Sequence, residues 1–215
     1  MIFRIEEFRR DVRVAIDMNR GDTSLLGDLD VETLGLDEVI DSKIEEGARL
    51  AVLEASPILL ENGHDIIGVN DDRHFYIRED GRGWILLPAD FLRLVCFRMT
   101  DWERPVTEAI EESDPRYALQ HSRWAGIRGN PERPVVAVVR RGDGLRLEFY
   151  SSSNGNAKVA EGSYVPQPRI DECGGIDIPE RCYMGAVYRA GALTLASLGD
   201  EMAGTLLELS RGALS

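Results

Sequence analysis

HFYIREDGRGWILL, residues 74–87, predicts a β-hairpin. HFYIR and WILL have the apolar and aromatic composition of short strands, and EDGRG between them supplies the Gly and Asp of a tight turn. A second hairpin is predicted where VVAVVRR and LRLEFYS flank the sequence GDG at 142–144. Between the hairpins, SDPRYALQHSRW at 113–124 predicts a short helix that Asp114 and Pro115 open. The middle of the chain is therefore predicted to consist mainly of antiparallel strands.

Helical patterns lie on both sides of these strands. Apolar residues recur at helical spacing from Ile2 to Ile16. After a predicted loop at 21–36, a second helix is capped by Asp37 and broken at Pro57. The N-terminal part is therefore predicted to be helical.

Two further helices are predicted at the end of the sequence. Pro179 opens the first, and Gly199 ends it. Small residues at four-step spacing let two helices approach closely, so the two helices are predicted to form an antiparallel hairpin. The row of small residues is Cys182, Ala186 and Ala190.

The order of these elements predicts an α+β fold, in which N- and C-terminal helices form a bundle and antiparallel β-hairpins are inserted between them. The predicted regions are 1–57 for the N-terminal helices and 58–178 for the β-hairpins with their short helix. The C-terminal helical hairpin takes 179–215. We expect 1–57 and 179–215 to pack as one bundle.

Composition and charge narrow the classes of function. Hydrophobic residues make up 43% of the 215 residues, which is ordinary for a globular protein and argues against disorder. The net charge of −13 repels phosphate, so a groove that grips nucleic acid is not expected. No apolar run reaches 18 residues, so no membrane partner is expected either. Three cysteines are an odd number for a disulfide framework, which indicates a reducing compartment.

Catalytic and metal-binding patterns are missing from the sequence. The three histidines stand at none of the spacings that helical metal sites use, and no glycine-rich segment has the lysine of a phosphate loop. No serine or cysteine has the context of a nucleophile. We therefore predict no catalytic, cofactor-binding or metal-ligating residue. A carboxylate pair assembled only in space, as in glycosidases, stays an alternative.

LPADFLRLVCFRMTDWERPV, residues 87–106, alternates aromatic and arginine residues and allows two interpretations. It is either a half-buried strand with its arginines toward solvent, or an interface patch, because Trp, Tyr and Arg are the residues that anchor interfaces. The predicted core or interface anchors in and around this segment are Trp84, Phe91, Arg93, Arg98, Trp102, Arg104 and Tyr117.

Four segments together resemble a known family. They are WILLPADFLRLV from Trp84, MTDWERPV from Met99, PRYALQHS from Pro115 and RPVV from Arg133. This pattern is similar to the head-to-tail adaptor or ring proteins of the tailed-phage neck, as in podovirus-type and crAss-like phages. The resemblance covers residues 70–150 best.

The resemblance implies a structural virion protein made in the cytoplasm of a bacterial host. Such a protein forms a ring, commonly of twelve copies, between the portal and the next tail or neck ring. DNA passes through the lumen without sequence-specific binding. The resemblance implies no cofactor and no catalytic residue.

Two alternatives belong to other classes of function. One is a cytosolic small-molecule or peptide-binding module, whose hairpins form a cleft lined by Trp84, Trp102 and Trp124. The other, less favoured, is a carboxylate-dependent hydrolase.

Overall fold

The computed structural model describes residues 1–16, 35–60, 63–66, 74–124 and 126–215, and it confirms the predicted α+β class. The chain divides into two compact units. Met1–Glu61 and Gln167–Ser215 form one unit, which we call the helical unit. Asn62–Pro166 forms the other, which we call the β unit.

The helices and strands are numbered in chain order. The helices are α1 (Ile5–Ala15), α2 (Leu36–Glu54), α3 (Pro115–Gln120), α4 (Tyr183–Leu198) and α5 (Ala203–Ala213). The strands are β1 (Ile2–Arg4), β2 (His64–Asp65), β3 (Phe75–Ile77), β4 (Gly83–Leu86), β5 (Phe91–Met99), β6 (Ile110–Glu111), β7 (Val136–Arg141), β8 (Gly144–Phe149), β9 (Val159–Pro166) and β10 (Gly175–Asp177). None of the helices in the described ranges is long and apolar enough to cross a membrane.

Helix α4 is the centre of the helical unit and contacts α1, α2 and α5. A Cβ on Gly47 of α2 would lie 2.8 Å from the Cα atom of Ala190, so α2 and α4 meet at nearly bare backbone. Gly185 lies against Leu214, and Gly191 lies against Leu206. Because contacts move backward along α5 as α4 advances, α4 and α5 run antiparallel. In the predicted row of small residues, Ala190 therefore packs against α2. The contacts of α4 with α5 are made at Gly185 and Gly191 instead.

Helix α1 lies along α2 through two ion pairs. Arg9 makes two hydrogen bonds to Asp41, at 2.8 and 2.6 Å, and Arg13 lies 2.6 Å from Asp37. The order of these pairs makes α1 and α2 antiparallel as well. Tyr183 of α4 packs edge-on against Phe8 of α1, with the ring centroids 5.4 Å apart. Ion pairs and aromatic contacts therefore fasten α1 to its neighbours.

Several predicted boundaries in this unit shift. A short strand, β1, precedes α1 and pairs with β10, so residues 167–178 lie in the helical unit although the predicted boundaries placed them with the strands. Asp37 is not the cap of α2, which follows Gly35; the Glu38 carboxylate accepts the Gly35 N–H at 3.1 Å. Of the predicted loop at 21–36, residues 21–34 lie outside the described part of the chain.

The β unit contains two sheets. The larger has the order β3-β4-β8-β7-β6, in which only β6 is parallel to its neighbour, and the smaller has the order β2-β9-β5. The two predicted hairpins are β3-β4 and β7-β8, and β4 pairs with β8. Glycine at 81 and 144 has positive φ, as tight turns require.

The described part of the β unit contains a large apolar core and a smaller apolar cluster of Ile110, Ala137, Val139 and Tyr150. Buried residues from both sheets form the large core, and Phe97 of β5 lies 6.1 Å from Phe149 of β8 between ring centroids. Register shifts interrupt the pairing of β5 with β9 at three places. These bulges change which side chains of β5 point inward. The main core side chains are Ile85, Leu94, Phe97, Met99, Trp102, Leu147 and Phe149.

Candidate functional site

The side of the five-stranded sheet that faces away from this core carries aromatic and arginine side chains. Strand pairing sets Trp84 opposite Glu148, and it sets Tyr76 opposite Trp84. The next residues along these strands, Ile85 and Leu147, are fully buried on the core side. A cavity of about 230 Å³ opens on the outer side. We call its lining the aromatic–arginine face: Tyr76, Arg78, Arg82, Trp84, His121, Arg141, Arg146, Glu148 and Tyr150.

Trp84 is held between polar and aromatic neighbours. The Arg146 guanidinium carbon lies 3.8 Å from the centroid of the Trp84 ring, a cation–π contact. The Arg146 Nε atom donates to the Asp143 carboxylate at 3.2 Å, and the hydrogen bonds from Arg146 lower the pKa of Asp143. The Tyr76 ring lies 6.1 Å from Trp84. These contacts fix a flat aromatic surface with the guanidinium of the Arg146–Asp143 ion pair on it.

Glu148 lies at the centre of a hydrogen-bonded cluster. It accepts from the Tyr150 hydroxyl at 2.6 Å, from the Tyr117 hydroxyl at 3.0 Å and from Arg141 at 3.1 Å. Arg141 also donates to Tyr117 at 2.9 Å and to Glu112 at 3.1 Å. Through Tyr117, this cluster fastens α3 to the sheet.

The pKa values in this cluster follow from burial and charge. Burial alone would raise the pKa of Glu148, but the hydrogen bonds from Tyr150, Tyr117 and Arg141 outweigh it and lower that pKa. Burial, and then the hydrogen bond and negative charge of Glu148, raise the pKa of Tyr150. Glu148 is therefore an ionised anchor, with neutral tyrosines as its donors.

The arginines of the aromatic–arginine face differ in whether a described carboxylate pairs with them. Arg82 donates to Asp80 at 2.8 Å, and the acids Asp143, Glu112 and Glu148 neutralise Arg146 and Arg141. Arg78, in contrast, is exposed and pairs with no carboxylate among the residues that the structure describes. The exposed Arg78 guanidinium, without a carboxylate partner among the described residues, therefore lies beside the aromatic rings of the face.

Exposed apolar side chains continue from this face. Leu119, Trp124 and Ile127 are 50–61% exposed. Their segment borders the face, because His121 lines the cavity and Arg128 donates to the Asp80 carbonyl at 3.3 Å. The exposed apolar residues extend the contact area of the face.

Arg123 adds a second exposed guanidinium to this border. Its guanidinium lies 5.0 Å from the centroid of the Trp124 ring, and it pairs with no carboxylate in the described ranges. A guanidinium on an exposed tryptophan is typical of residues that anchor interfaces.

Of the predicted anchors, only two lie at the candidate site. Trp84 lines the cavity of the aromatic–arginine face, and Tyr117 belongs to the hydrogen-bonded cluster of Glu148. Trp102 is 3% exposed and packs edge-on against Phe97 at 5.6 Å between ring centroids, so it is a core residue. Phe91 stacks on Tyr164, with 5.8 Å between ring centroids. Within the segment 87–106, Phe91–Met99 form the strand β5, most of whose residues are buried or half-buried.

The three predicted arginine anchors lie along or after that strand. Arg98 crosses to Glu161 on β9 at 2.7 Å, Arg93 is half-buried on β5, and Arg104 is exposed beyond the end of the strand. None of them lines the cavity of the aromatic–arginine face.

A second cavity, of about 520 Å³, lies along β2, β9 and β5. Cys96 and Glu161 line it, and the Cys96 thiol lies 3.6 Å from the Glu161 carboxylate. Burial, and then the charge of Glu161, raise the pKa of this thiol. A catalytic cysteine needs the opposite shift, so Cys96 is not activated as a nucleophile.

The carboxyl groups with shifted pKa values also differ from a catalytic general acid. Six carboxyl groups in the described ranges have a pKa that hydrogen bonds, chiefly from arginine or tyrosine donors, lower: Glu46, Asp80, Asp114, Asp143, Glu148 and Glu161. The general acid of a hydrolase needs a raised pKa. The same part of the chain has no group of three or more His, Cys, Asp or Glu placed to hold a metal ion.

Of the aromatic–arginine face, only Trp84 was predicted from the sequence as a core or interface anchor. Arg146, Glu148 and Tyr150 alternate in the segment LRLEFY, and this alternation places two of them on one side of β8 and the third just beyond its end. That pattern was the available signal. No protein-family model matches this chain, and no curated protein matches it. The function has to be argued from the geometry and the charges.

Proposed function

We propose that this chain is a subunit of a head-to-tail adaptor ring in the neck of a tailed-phage virion. The division of charge between the two units supports this proposal. The helical unit contains 11 Lys and Arg against 22 Asp and Glu, and the β unit contains 14 against 16. Of the net charge of −13, −11 therefore belongs to the helical unit and −2 to the β unit.

A DNA conduit needs this kind of division. A duplex moves through a ring without sticking if the wall repels its phosphates, and an acidic wall does so. We therefore assign the helical unit to the channel wall. The nearly neutral β unit is suited to contacts with neighbouring proteins, because interface cores contain few unpaired charges and are enriched in Trp, Tyr and Arg.

The proposed role is structural and requires no cofactor. The partners are further copies of the chain, commonly twelve in all, the portal protein on one side and the next neck or tail ring on the other. DNA is in the lumen but is not bound by sequence.

The test is the native mass of the protein, alone and after mixing with the portal of its own phage. We expect a particle that carries about a dozen copies on the portal. The portal of an unrelated phage serves as the control and should bind none. A protein that stays monomeric and ignores its own portal would contradict the proposal.

A small-molecule or peptide-binding module is the second candidate. The cavity along β2, β9 and β5 favours it, because about 520 Å³ is within the usual range of ligand sites. The predicted cleft of three tryptophans does not form, because Trp102 is buried in the core. For such a module we expect a ligand-dependent rise in melting temperature and no assembly on the portal.

A further inference from the structure

We propose that the aromatic–arginine face of one subunit binds the acidic outer side of α2 in a second copy of this chain. This inference rests on the proposed function and names a contact that would close the ring. It joins two different surfaces of the same chain, one in the β unit and one in the helical unit.

The outer side of α2 is a continuous stripe. Six of its exposed or half-exposed residues are spaced mainly three and four apart, so they share one side of the helix, whereas Ile40, Ile44 and Ala48 on the other side are fully buried. We call these positions the α2 stripe: Glu38, Ser42, Glu45, Glu46, Arg49 and Leu53.

The α2 stripe is acidic and keeps free acceptor capacity. Arg49 pairs with Glu46 at 2.7 Å, which leaves two further glutamates. Glu38 accepts the Gly35 N–H and Glu45 accepts the Ile170 N–H, each through one oxygen. A carboxylate accepts about four hydrogen bonds, so both can still bind arginine.

The aromatic–arginine face complements the stripe in charge and in polarity. Arg78 and Arg123 have no carboxylate partner in the described part of their own subunit, and arginine binds carboxylates through paired donors. The exposed Trp124 on the border of the face can cover Leu53, which is 41% exposed at the end of the stripe.

The cavity in the face suits a side chain better than a free ligand. Small-molecule sites usually enclose about 300–1,000 Å³. The cavity here, about 230 Å³, is smaller and accommodates one or two protein side chains. The 61% exposed Trp124 and the stacked guanidinium of Arg123 are typical of a protein interface.

A contact between two different patches is the kind of contact that a ring needs. Two different patches that complement each other produce a head-to-tail interface, which closes into a ring when the rotation per subunit allows it. A contact of the face with itself would bring arginine against arginine and would end at a dimer.

Charge reversal tests the contact in the full-length protein. One variant carries Arg78→Glu and Arg123→Glu, and the other carries Glu38→Lys and Glu45→Lys. Each alone should associate with itself and assemble on the portal at least about tenfold more weakly than the wild type, because like charges meet. An equal mixture of the two variants should regain assembly, since the reversed surfaces complement each other.

The matched control has the same change of charge outside the face. Arg104→Glu with Arg140→Glu alters two exposed arginines of the β unit and should assemble as the wild type does. Ser42→Arg adds a cation to the stripe and removes no carboxylate. It should weaken assembly even if the double lysine variant is poorly folded, and circular dichroism checks the fold of each variant.

Each outcome decides between the inference and the proposed function. If the wild type and all variants assemble alike on the portal, the adaptor proposal stands and this contact is wrong. If the α2 variants assemble normally and only the Arg78/Arg123 variant fails, the face binds the portal or a free anion instead. If the wild type associates neither with itself nor with the portal, both proposals fail.

Discussion

At the scale of single residues, Glu148 does most to shape the outer side of the five-stranded sheet. Its carboxylate accepts from two tyrosines and one arginine, and one of those tyrosines belongs to α3. Neutralising this partly buried carboxylate would weaken the hydrogen bonds from all three donors at once, because hydrogen bonds to a charged acceptor are stronger. The position of Arg141 in the candidate site therefore depends on Glu148.

We predict that Glu148→Gln lowers the free energy of unfolding by about 1–3 kcal/mol at pH 7, because hydrogen bonds to a charged group weaken and one amide N–H₂ faces donors. Urea denaturation of both proteins measures the difference.

The pKa of Glu148 is lowered in the folded state. Its contribution to stability is therefore present above the ordinary carboxyl pKa of about 4.3 and is lost as pH falls through the lowered value. The difference should therefore shrink at pH 3.

The control for Glu148 is Glu161→Gln, which removes the charge of an exposed cross-strand pair with Arg98. We expect little change in stability from this variant, because exposed ion pairs contribute little. Equal losses in the two variants, or a Glu148→Gln difference that persists at pH 3, would show that the cluster is not held by its charge.

At the scale of elements, the contact of α2 with α4 depends on the absence of a side chain. We predict that Gly47→Ala destabilises the protein by about 1–3 kcal/mol, although alanine is the better helix former, because the new methyl group would lie 2.8 Å from the Ala190 backbone. Thermal and urea unfolding measure the effect.

Gly212→Ala in α5 is the matched control, because a Cβ at Gly212 has no atom within 4 Å. It should be neutral or stabilise by up to about 1 kcal/mol. If both alanine variants were stabilising, α2 and α4 would not be packed at backbone distance.

The elements that sequence predicts well are those that local chemistry determines. The two hairpins have strand patterns around Gly and Asp turns, and Asp114 accepts the Arg116 N–H at 2.8 Å at the start of α3, as its capping role predicts. The parallel pairing of β6 with β7 joins distant segments and leaves no local pattern.

Strand β5 shows why the site itself was predicted only in part. The segment 87–106 was predicted to be either a half-buried strand with its arginines toward solvent or an interface patch. The register shifts of β5 bury Leu94, Phe97 and Met99, and Trp102 beyond the strand end joins them in the core. A period-two pattern does not show bulges, so the burial of these side chains could not be predicted from the sequence.

At the scale of the whole molecule, the β unit is inserted into the sequence of the helical unit. Its first and last strands are neighbours: His64 pairs with Tyr164, and Asp65 pairs with Ser163. A Cβ on Gly63 would lie 2.6 Å from the Tyr164 carbonyl oxygen. The chain therefore enters and leaves the β unit at nearly the same point, which is typical of tolerated insertions.

We predict that each unit folds alone. Residues 62–166 contain their own core cluster, and the helical unit needs only a short Gly-Ser linker from Glu61 to Gln167, since the β unit begins and ends at paired strands. Both fragments should unfold cooperatively in thermal melts followed by circular dichroism.

The two fragments should differ in their response to salt. The helical fragment has a net charge of −11, so its melting temperature should rise between low and 0.15 M salt as self-repulsion is screened. The β fragment has a net charge of −2, so its melting temperature should change little. An unfolded 62–166 fragment would show that its core depends on the rest of the chain, and equal salt responses would remove the charge division as support for a channel wall.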